Sequence, residues 1–424
     1  MERRYPCGGV KRRGFLAAAA SAPILGAMPG TGLLAADGTP QPPSQPQIRT
    51  TPSHAGADVK AASKLGVPGL YPGRVVEVRN KAMIRGGVKD RGAIKSSLEK
   101  GLMRLTGAPG APDAWRTFFE PGDVVGIKVV PNGQPYAHSS FELVLEIIEG
   151  LKSAGVKPRD IFVYDRYREE FLGAGYDKIL PADIRWGGLT AEGGDQFQVD
   201  FPSYRSDPVA GYDPDAFVWM DLIPTGDDPK DDRKFRSHLG KLVTKVVNKI
   251  IGVPVVKDHG SAGVTGALKN MSHGSVNNVA RSHSNSSTNV CNQFIPQVAS
   301  HPTIRSKFVL QVMDGIRAVY QGGPFAWADS KGKWTWENNA LLLATDPVAL
   351  DHVEWDMVDA RRVLEKLPKV AACGKLAADP FGKEGFDVRQ PQHIALAGAL
   401  GLGHFDYKSP RGRRFSIDHV VVDA

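Results

Sequence analysis

Short apolar runs alternate with amphipathic stretches along most of the chain beyond about residue 75. Val124 to Val130 is apolar except for Gly126 and Lys128, which predicts a buried strand. Leu143, Ile147 and Leu151 then recur at i, i+4 and i+8 and mark one face of a helix. Ser139 and Glu142, three apart, predict a capping box at its start, and Gly155 predicts its end. Ile161 to Tyr164 resumes an extended apolar run that leads into Asp165-Arg166. Strand, helix and strand within about forty residues predict a βαβ unit with a parallel pair.

The second half repeats this rhythm. Ile250 to Val256, Phe308 to Met313 and Ala340 to Ala344 predict strands buried on both faces. Asp346-Pro347 predicts a helix start, with Asp346 as cap and Pro347 in the first turn. Leu350, Val353, Met357 and Leu364 supply its expected apolar face. The predicted fold is α/β: a mostly parallel sheet with helices on both faces, built from βαβ units. It forms either one domain or two lobes meeting near residues 200–250.

The first 36 residues have a different character. Lys11-Arg12-Arg13-Gly14-Phe15-Leu16 precedes an uncharged stretch from Ala17 to Ala27, with small residues at Ala35-Ala36. A basic region, an apolar region and a small-residue end predict a signal peptide of the twin-arginine type. The expected partner is the twin-arginine translocase, and the expected location is the periplasm or the exterior. The apolar stretch is rich in Ala, Gly and Pro, so no stable membrane span is expected after its removal. Residues 37–70 are rich in Pro, Gln, Ser and Thr and read as a flexible linker, leaving 71–424 as the folded region.

The leader changes the charge picture. Of the formal net charge of +8, +4 lies in residues 1–36, so the remainder is only mildly basic and no nucleic-acid partner is expected. Cys7 leaves with the leader, and Cys291 and Cys373 are too few for a disulfide framework. They either pair, or stay unpaired, with Cys291 packed or acting as ligand or nucleophile. No Cys-x-x-Cys occurs, so no iron–sulfur cluster is expected.

Candidate chemistry gathers where parallel strands should end. Four such ends carry polar groups: Lys128 to His138 (including Asn132), Asp165-Arg166, Lys257 to His259, and Asp314-Gly315. The densest segment is Pro254 to Gln293, with three of the chain's eleven histidines. Lys257 at a strand end suits a carboxylate or phosphate, and His259 suits a proton shuttle or metal ligand. Gly263 to Gly274 predicts a helix after a glycine-rich turn, whose free N–H groups suit an anion. Lys269 on that helix is the candidate base, electrophile or covalent anchor, beside Asn270. His259, His273 and His283 could hold a divalent metal, although their spacings of 14 and 10 match no short zinc motif. Asn277 reads as a turn residue or ligand group. Asp346 reads as a cap or ligand group, and Asp351 is expected near the same helix start, facing the crevice. Trp327, Trp334 and Trp336 mark a loop that either covers a pocket, packs, or meets a partner. No Gly-x-Ser-x-Gly elbow, P-loop or Gly-x-Gly-x-x-Gly follows a strand, which removes the simplest hydrolase, nucleotidase and dinucleotide readings.

Gly122-Asp123-Val124-Val125-Gly126-Ile127-Lys128, Ile147 to Lys152 and Asp165-Arg166 together resemble the domain-of-unknown-function 362 family. So do Lys257-Asp258-His259, Gly263 to Asn270, Asp314-Gly315 and Thr345-Asp346-Pro347-Val348-Ala349, for a span from about residue 75 to 405. The resemblance is to the branch with a twin-arginine leader and without ferredoxin cysteines. It supplies no activity. Gly266-Ala267-Leu268-Lys269-Asn270 is also similar in part to the lysine-bearing stretch of nickel-dependent lactate racemases, with Leu268 and Asn270 where that family has Arg and Ser. That similarity implies a metal or cofactor near Lys269. The expected function is an exported protein with a pocket for a small anionic or metal-bound ligand. Lys269, His259, Lys257 and Asp165 are its reactive groups. Lys128, Asn132, Arg166, Asn270, Asn277, Asp314, Asp346 and Asp351 are its binding groups. An enzyme and a non-catalytic binding or cofactor-handling protein both remain open.

Overall fold

Successive residues of the central strands belong to two different cores. Ile161 and Val163 pack on one side of the sheet, and Phe162 and Tyr164 on the other; Leu341 and Leu343 likewise oppose Leu342 and Ala344. The period-two alternation of a strand therefore buries apolar side chains on both faces. The computed structural model describes residues 50–51, 64–190, 211–220, 235–279, 282, 291–324, 332–370, 391–407 and 416–424.

In chain order the main-sheet strands are β1 (Arg74–Arg79), β2 (Val125–Lys128), β3 (Ile161–Tyr167), β4 (Arg185–Thr190), β5 (Lys249–Gly252), β6 (Val255–His259), β7 (Phe308–Val319), β8 (Thr335–Ala344) and β9 (Asp418–Asp423). Their order across the sheet is β9-β1-β8-β7-β5-β2-β3-β4, with β6 pairing the far half of β7 and a short strand at Gly263–Val264. Pairs among β7, β5, β2, β3 and β4 are parallel, as are β6 with β7 and β9 with β1; β8 runs antiparallel to both neighbours. The expected α/β fold with a mostly parallel sheet is therefore the fold observed.

Helices α1 (Arg91–Thr106) and α2 (Phe141–Ser153) cover one face through Leu98, Leu102, Leu143 and Ile147. Helix α3 (Arg168–Ala174) follows β3 directly. Helices α4 (Gly266–Ser272), α5 (Cys291–Ala299), α6 (Pro347–Leu364) and α7 (Gln392–Ala399) pack in the core of the other face. Tyr212–Met220 and Arg236–Gly240 form a separate antiparallel pair, yet Tyr212, Val218 and Leu239 join that same core.

Topology singles out one end of the sheet. From β2 the chain moves to β3 and β4 on one side, then returns as β5 on the other. Such a reversal opens a crevice at the C-terminal ends of the two central strands.

Four local expectations need correction. The run Ile250 to Val256 is two strands, because Pro254 has no N–H to give and β5 ends before it. Lys257, Asp258 and His259 form the C-terminal end of β6, whereas Asp314-Gly315 lies inside β7 rather than at its end. No capping box forms: Ser140 is the N-cap of α2 without a side-chain bond, while Ser139 Oγ accepts from Val130 N at 2.8 Å and donates to Val253 O at 2.6 Å. Leu364 is exposed at the end of α6, where Glu354 and Arg362 are buried instead.

Candidate functional site

Lys128 closes β2 and turns its buried ammonium toward β3 and α4. Its Nζ donates to Asp165 Oδ1 at 2.5 Å, Val129 O at 2.8 Å and Asn270 Oδ1 at 3.0 Å. Asn270 Nδ2 returns a bond to Lys128 O at 3.3 Å. An ammonium has three protons, and all three are used. The turn after α4 passes so close that a Cβ on Gly274 would lie 2.4 Å from Lys128 Cε and 2.3 Å from Asn270 O. Glycine is therefore required there to admit the lysine head.

Lys257 is completely buried on β6. Its Nζ donates to Asn132 Oδ1 at 2.6 Å, Asn132 O at 3.0 Å and Pro324 O at 3.1 Å, all neutral acceptors. Burial, and secondly the charge of Lys269, lowers its pKa to about 7. This lysine is also saturated. Near neutral pH it is only partly charged, so it serves the fold more than any ligand.

Lys269 differs. Its helix, α4, starts against Asp351 on α6, which accepts from Ala267 N at 2.5 Å and Leu268 N at 2.9 Å. The N–H groups expected to meet an anion are thus taken by an internal carboxyl, and Asp351 serves as their cap. Half-buried Lys269 has no hydrogen bond or ion pair to its ammonium among the described residues. Desolvation, with Arg166 and Lys128 as repelling charges, lowers its pKa to about 8; Cys291 opposes that shift. Arg166 Nη1 is fixed on His273 O at 3.2 Å, and its guanidinium lies 4.2 Å from the Tyr167 ring centre. Glu170 on α3 is pushed up to about 7, first by burial and then by Asp165. Lys128, Arg166 and Lys269 therefore converge here with a partly charged Lys257, while burial favours the neutral form of Glu170.

The histidines are committed to the fold. His259 Nδ1 accepts from Ser261 N at 2.9 Å and Ala262 N at 3.1 Å, which places the ring proton on Nε2. A metal on Nε2 would require that proton to move to Nδ1, against two backbone donors. His273 meets Ser272 Oγ at 3.1 Å and Ser282 Oγ at 2.8 Å, one hydroxyl at each ring nitrogen. His283 lies outside the described residues. Among the described residues no group of three or more His, Cys, Asp or Glu is arranged to hold a metal ion.

The other expected ligand groups serve the fold. Asn277 Oδ1 accepts from His238 N at 2.5 Å. Asp314 accepts from Ser140 N at 2.7 Å and Ile316 N at 3.0 Å. Asp346 caps α6 through Val348 N and Ala349 N, and its other oxygen accepts from Gly73 N and His404 N, both at 2.9 Å. Trp334 and Trp336 pack around Tyr320 with ring centres 6.0 Å away; Trp327 lies outside the described residues.

Sequence reasoning missed His393. It enters from α7, over a hundred residues beyond Lys269, and is fully buried. Its Nδ1 lies 3.3 Å from Asn292 Oδ1, and its Nε2 has no hydrogen-bond partner among the described residues. Burial, and then the charge of Lys269, lowers its pKa to about 3, so it is neutral. Cys291, on α5, is buried with its thiol raised to about 11 by desolvation, and its Sγ donates to Ser282 O at 3.1 Å. Cys373 lies outside the described residues.

Residues 227–356 match the family described as Domain of unknown function (DUF362). The matched stretch contains β5, β6, α4, α5, β7, β8 and the first half of α6, hence Lys257, Lys269 and Asp351. No curated protein matches the chain.

Proposed function

We propose that this protein binds a small anionic ligand at the strand ends around β2, β3 and β6, and that Lys269 is the group that meets it. One observation carries this reading. Lys128 and Lys257 have spent all their donors on the protein and Arg166 is anchored on His273, while Lys269 keeps its donors free among the described residues. A positive field with one uncommitted ammonium suits a carboxylate or phosphate. The location at a topological switch point supports the same reading.

The test is thermal denaturation with a panel of small carboxylates and inorganic phosphate, on the wild type and Lys269→Ala. A ligand at a hundred times its Kd stabilises by about 2.7 kcal/mol. Stabilisation of the wild type that Lys269→Ala loses, while its own Tm stays unchanged, is the expected result. No shift with any anion, or an equal shift in both proteins, would sink the proposal.

We further propose that the protein acts outside the cytoplasm after twin-arginine export, on the strength of Arg12-Arg13 and the apolar stretch behind them. Replacing both arginines by lysine should leave the protein in the cytoplasmic fraction with its leader uncleaved. Normal export of that variant would overturn this part.

A further inference from the structure

We infer that Lys269 is an imine-forming lysine, whose amine takes the carbonyl carbon of a small 2-oxo carboxylic acid held in the positive field of Lys128 and Arg166. The inference rests on the anion-binding reading and adds the ligand's second functional group.

Three geometric observations carry it. A nucleophilic amine needs a free lone pair and access, and among the three lysines of the cluster only Lys269 has neither a partner nor complete burial. Fixed cations beside a half-desolvated lysine favour its neutral form, which is the usual way a lysine is activated toward carbonyls. The lowering to about 8 agrees with that placement. At pH 7.5 about a quarter of such an amine is free, against about a thousandth for an ordinary lysine. Finally, His393 is buried within electrostatic reach of it as a neutral imidazole. Its Nδ1 faces Asn292, and its Nε2 lone pair has no partner among the described residues. An imidazole this weakly basic does not carry the proton, which solvent supplies, but its lone pair can accept a hydrogen bond from the amine or the carbinolamine. The Cys291 thiol, held protonated by burial, does not compete as nucleophile.

The step balances without any oxidant or reductant. The Lys269 nitrogen bonds to the carbonyl carbon as the C–O π bond breaks onto oxygen. One amine proton and one proton from solution go to that oxygen, which leaves as water. The nitrogen keeps one proton and carries the positive charge of the iminium. The retained carboxylate stays opposite the fixed cations.

The experiment uses the folded chain at pH 7.5 with pyruvate or glyoxylate and sodium cyanoborohydride, followed by intact mass and peptide mapping. Thermal shift with lactate, which has the carboxylate but no carbonyl, runs in parallel. One adduct per chain on the Lys269 peptide is expected, forming on the order of 100-fold faster than at surface lysines. Lys269→Arg should lose the adduct, because a guanidinium that stays protonated has no free lone pair to give. Stabilisation by lactate without an adduct at Lys269 overturns the imine and leaves the anion site standing. Absence of both overturns the two together. Adducts spread evenly over the surface lysines also overturn the imine.

Discussion

The backbone N–H of Lys257 donates to Glu354 Oε1 at 3.0 Å, so a carboxyl on α6 is fastened to the strand that carries a buried lysine. Burial first, and then the neighbouring Asp351, pushes the Glu354 pKa well above the usual carboxylate range. Its Oε2 has no hydrogen-bond partner among the described residues, as suits a neutral acid better than an anion. Asp351 is raised as well by burial, against the two amide bonds it receives from α4. One helix thus positions both β6 and α4, and with them Lys257 and Lys269.

Glu354→Gln should gain stability relative to the wild type as pH rises. The folded protein keeps the Glu354 proton over a range in which the unfolded chain, at an ordinary value of 4.5, has released it. Raising pH above that value therefore favours unfolding of the wild type. Glutamine has no proton to release. Urea midpoints for the two proteins should lie close together near pH 4 and diverge in favour of Glu354→Gln toward pH 8. Parallel midpoints across that range would show that Glu354 is ionised in the fold.

Lys128→Met and Asp165→Asn should each cost about 3–5 kcal/mol, since each leaves a buried partner charge uncompensated. The pair is almost completely enclosed, with side-chain exposures of 3% and 8%. Together the two substitutions should cost clearly less than the sum of their separate effects. A double-mutant cycle by chemical denaturation reads this directly, and strict additivity would mean that the contact contributes nothing.

The α/β alternation was legible because each central strand is an apolar run bounded by charge, as in Val124 to Val130 and Ile161 to Tyr164. The polar cluster was legible for the same reason: Lys128, Asp165 and Lys257 interrupt or end such runs, where only a site or an internal pair would place a charge. Direction was not. Asp351 and Lys269 lie on separate helices, and nothing in their spacing says that the carboxyl turns onto the amides of α4 rather than into the crevice. Saturation was equally hidden, because the partners of Lys257 are a side chain and two backbone oxygens, at Asn132 and Pro324, far away in the sequence. His393 carried no signal, since a lone histidine on a short helix looks the same whether it packs or reacts.

Gly274→Ala should destabilise by roughly 1–3 kcal/mol and displace the Lys128 head, because the new Cβ meets a backbone oxygen that cannot yield cheaply. Gly173→Ala is the matched control. Gly173 is exposed in α3 with nothing within 4 Å of its would-be Cβ. There alanine should stabilise by up to about 1 kcal/mol through helix propensity. Equal effects in thermal unfolding would remove the argument that Gly274 is needed for the lysine.

The last prediction concerns the field around Lys269. Its neighbours in charge are Arg166, Lys128, Lys257, Glu170, Cys291 and His393. Of these, Arg166 and Lys128 lower its pKa, and Arg166 is the one whose removal leaves the Lys128–Asp165 pair intact. The rate of Lys269 acylation by an amine reagent should rise with pH to a midpoint near 8, since only the free amine reacts. In Arg166→Leu one repelling charge is gone, so the ammonium is easier to keep and the midpoint should move upward. Arg74→Leu, which removes an exposed arginine paired with Asp418, should leave the midpoint where it was. A midpoint near 10.5 in the wild type would mean that Lys269 behaves as an ordinary surface amine. An unmoved midpoint in Arg166→Leu would mean that desolvation alone sets it, and that the convergent cations play no part in its reactivity.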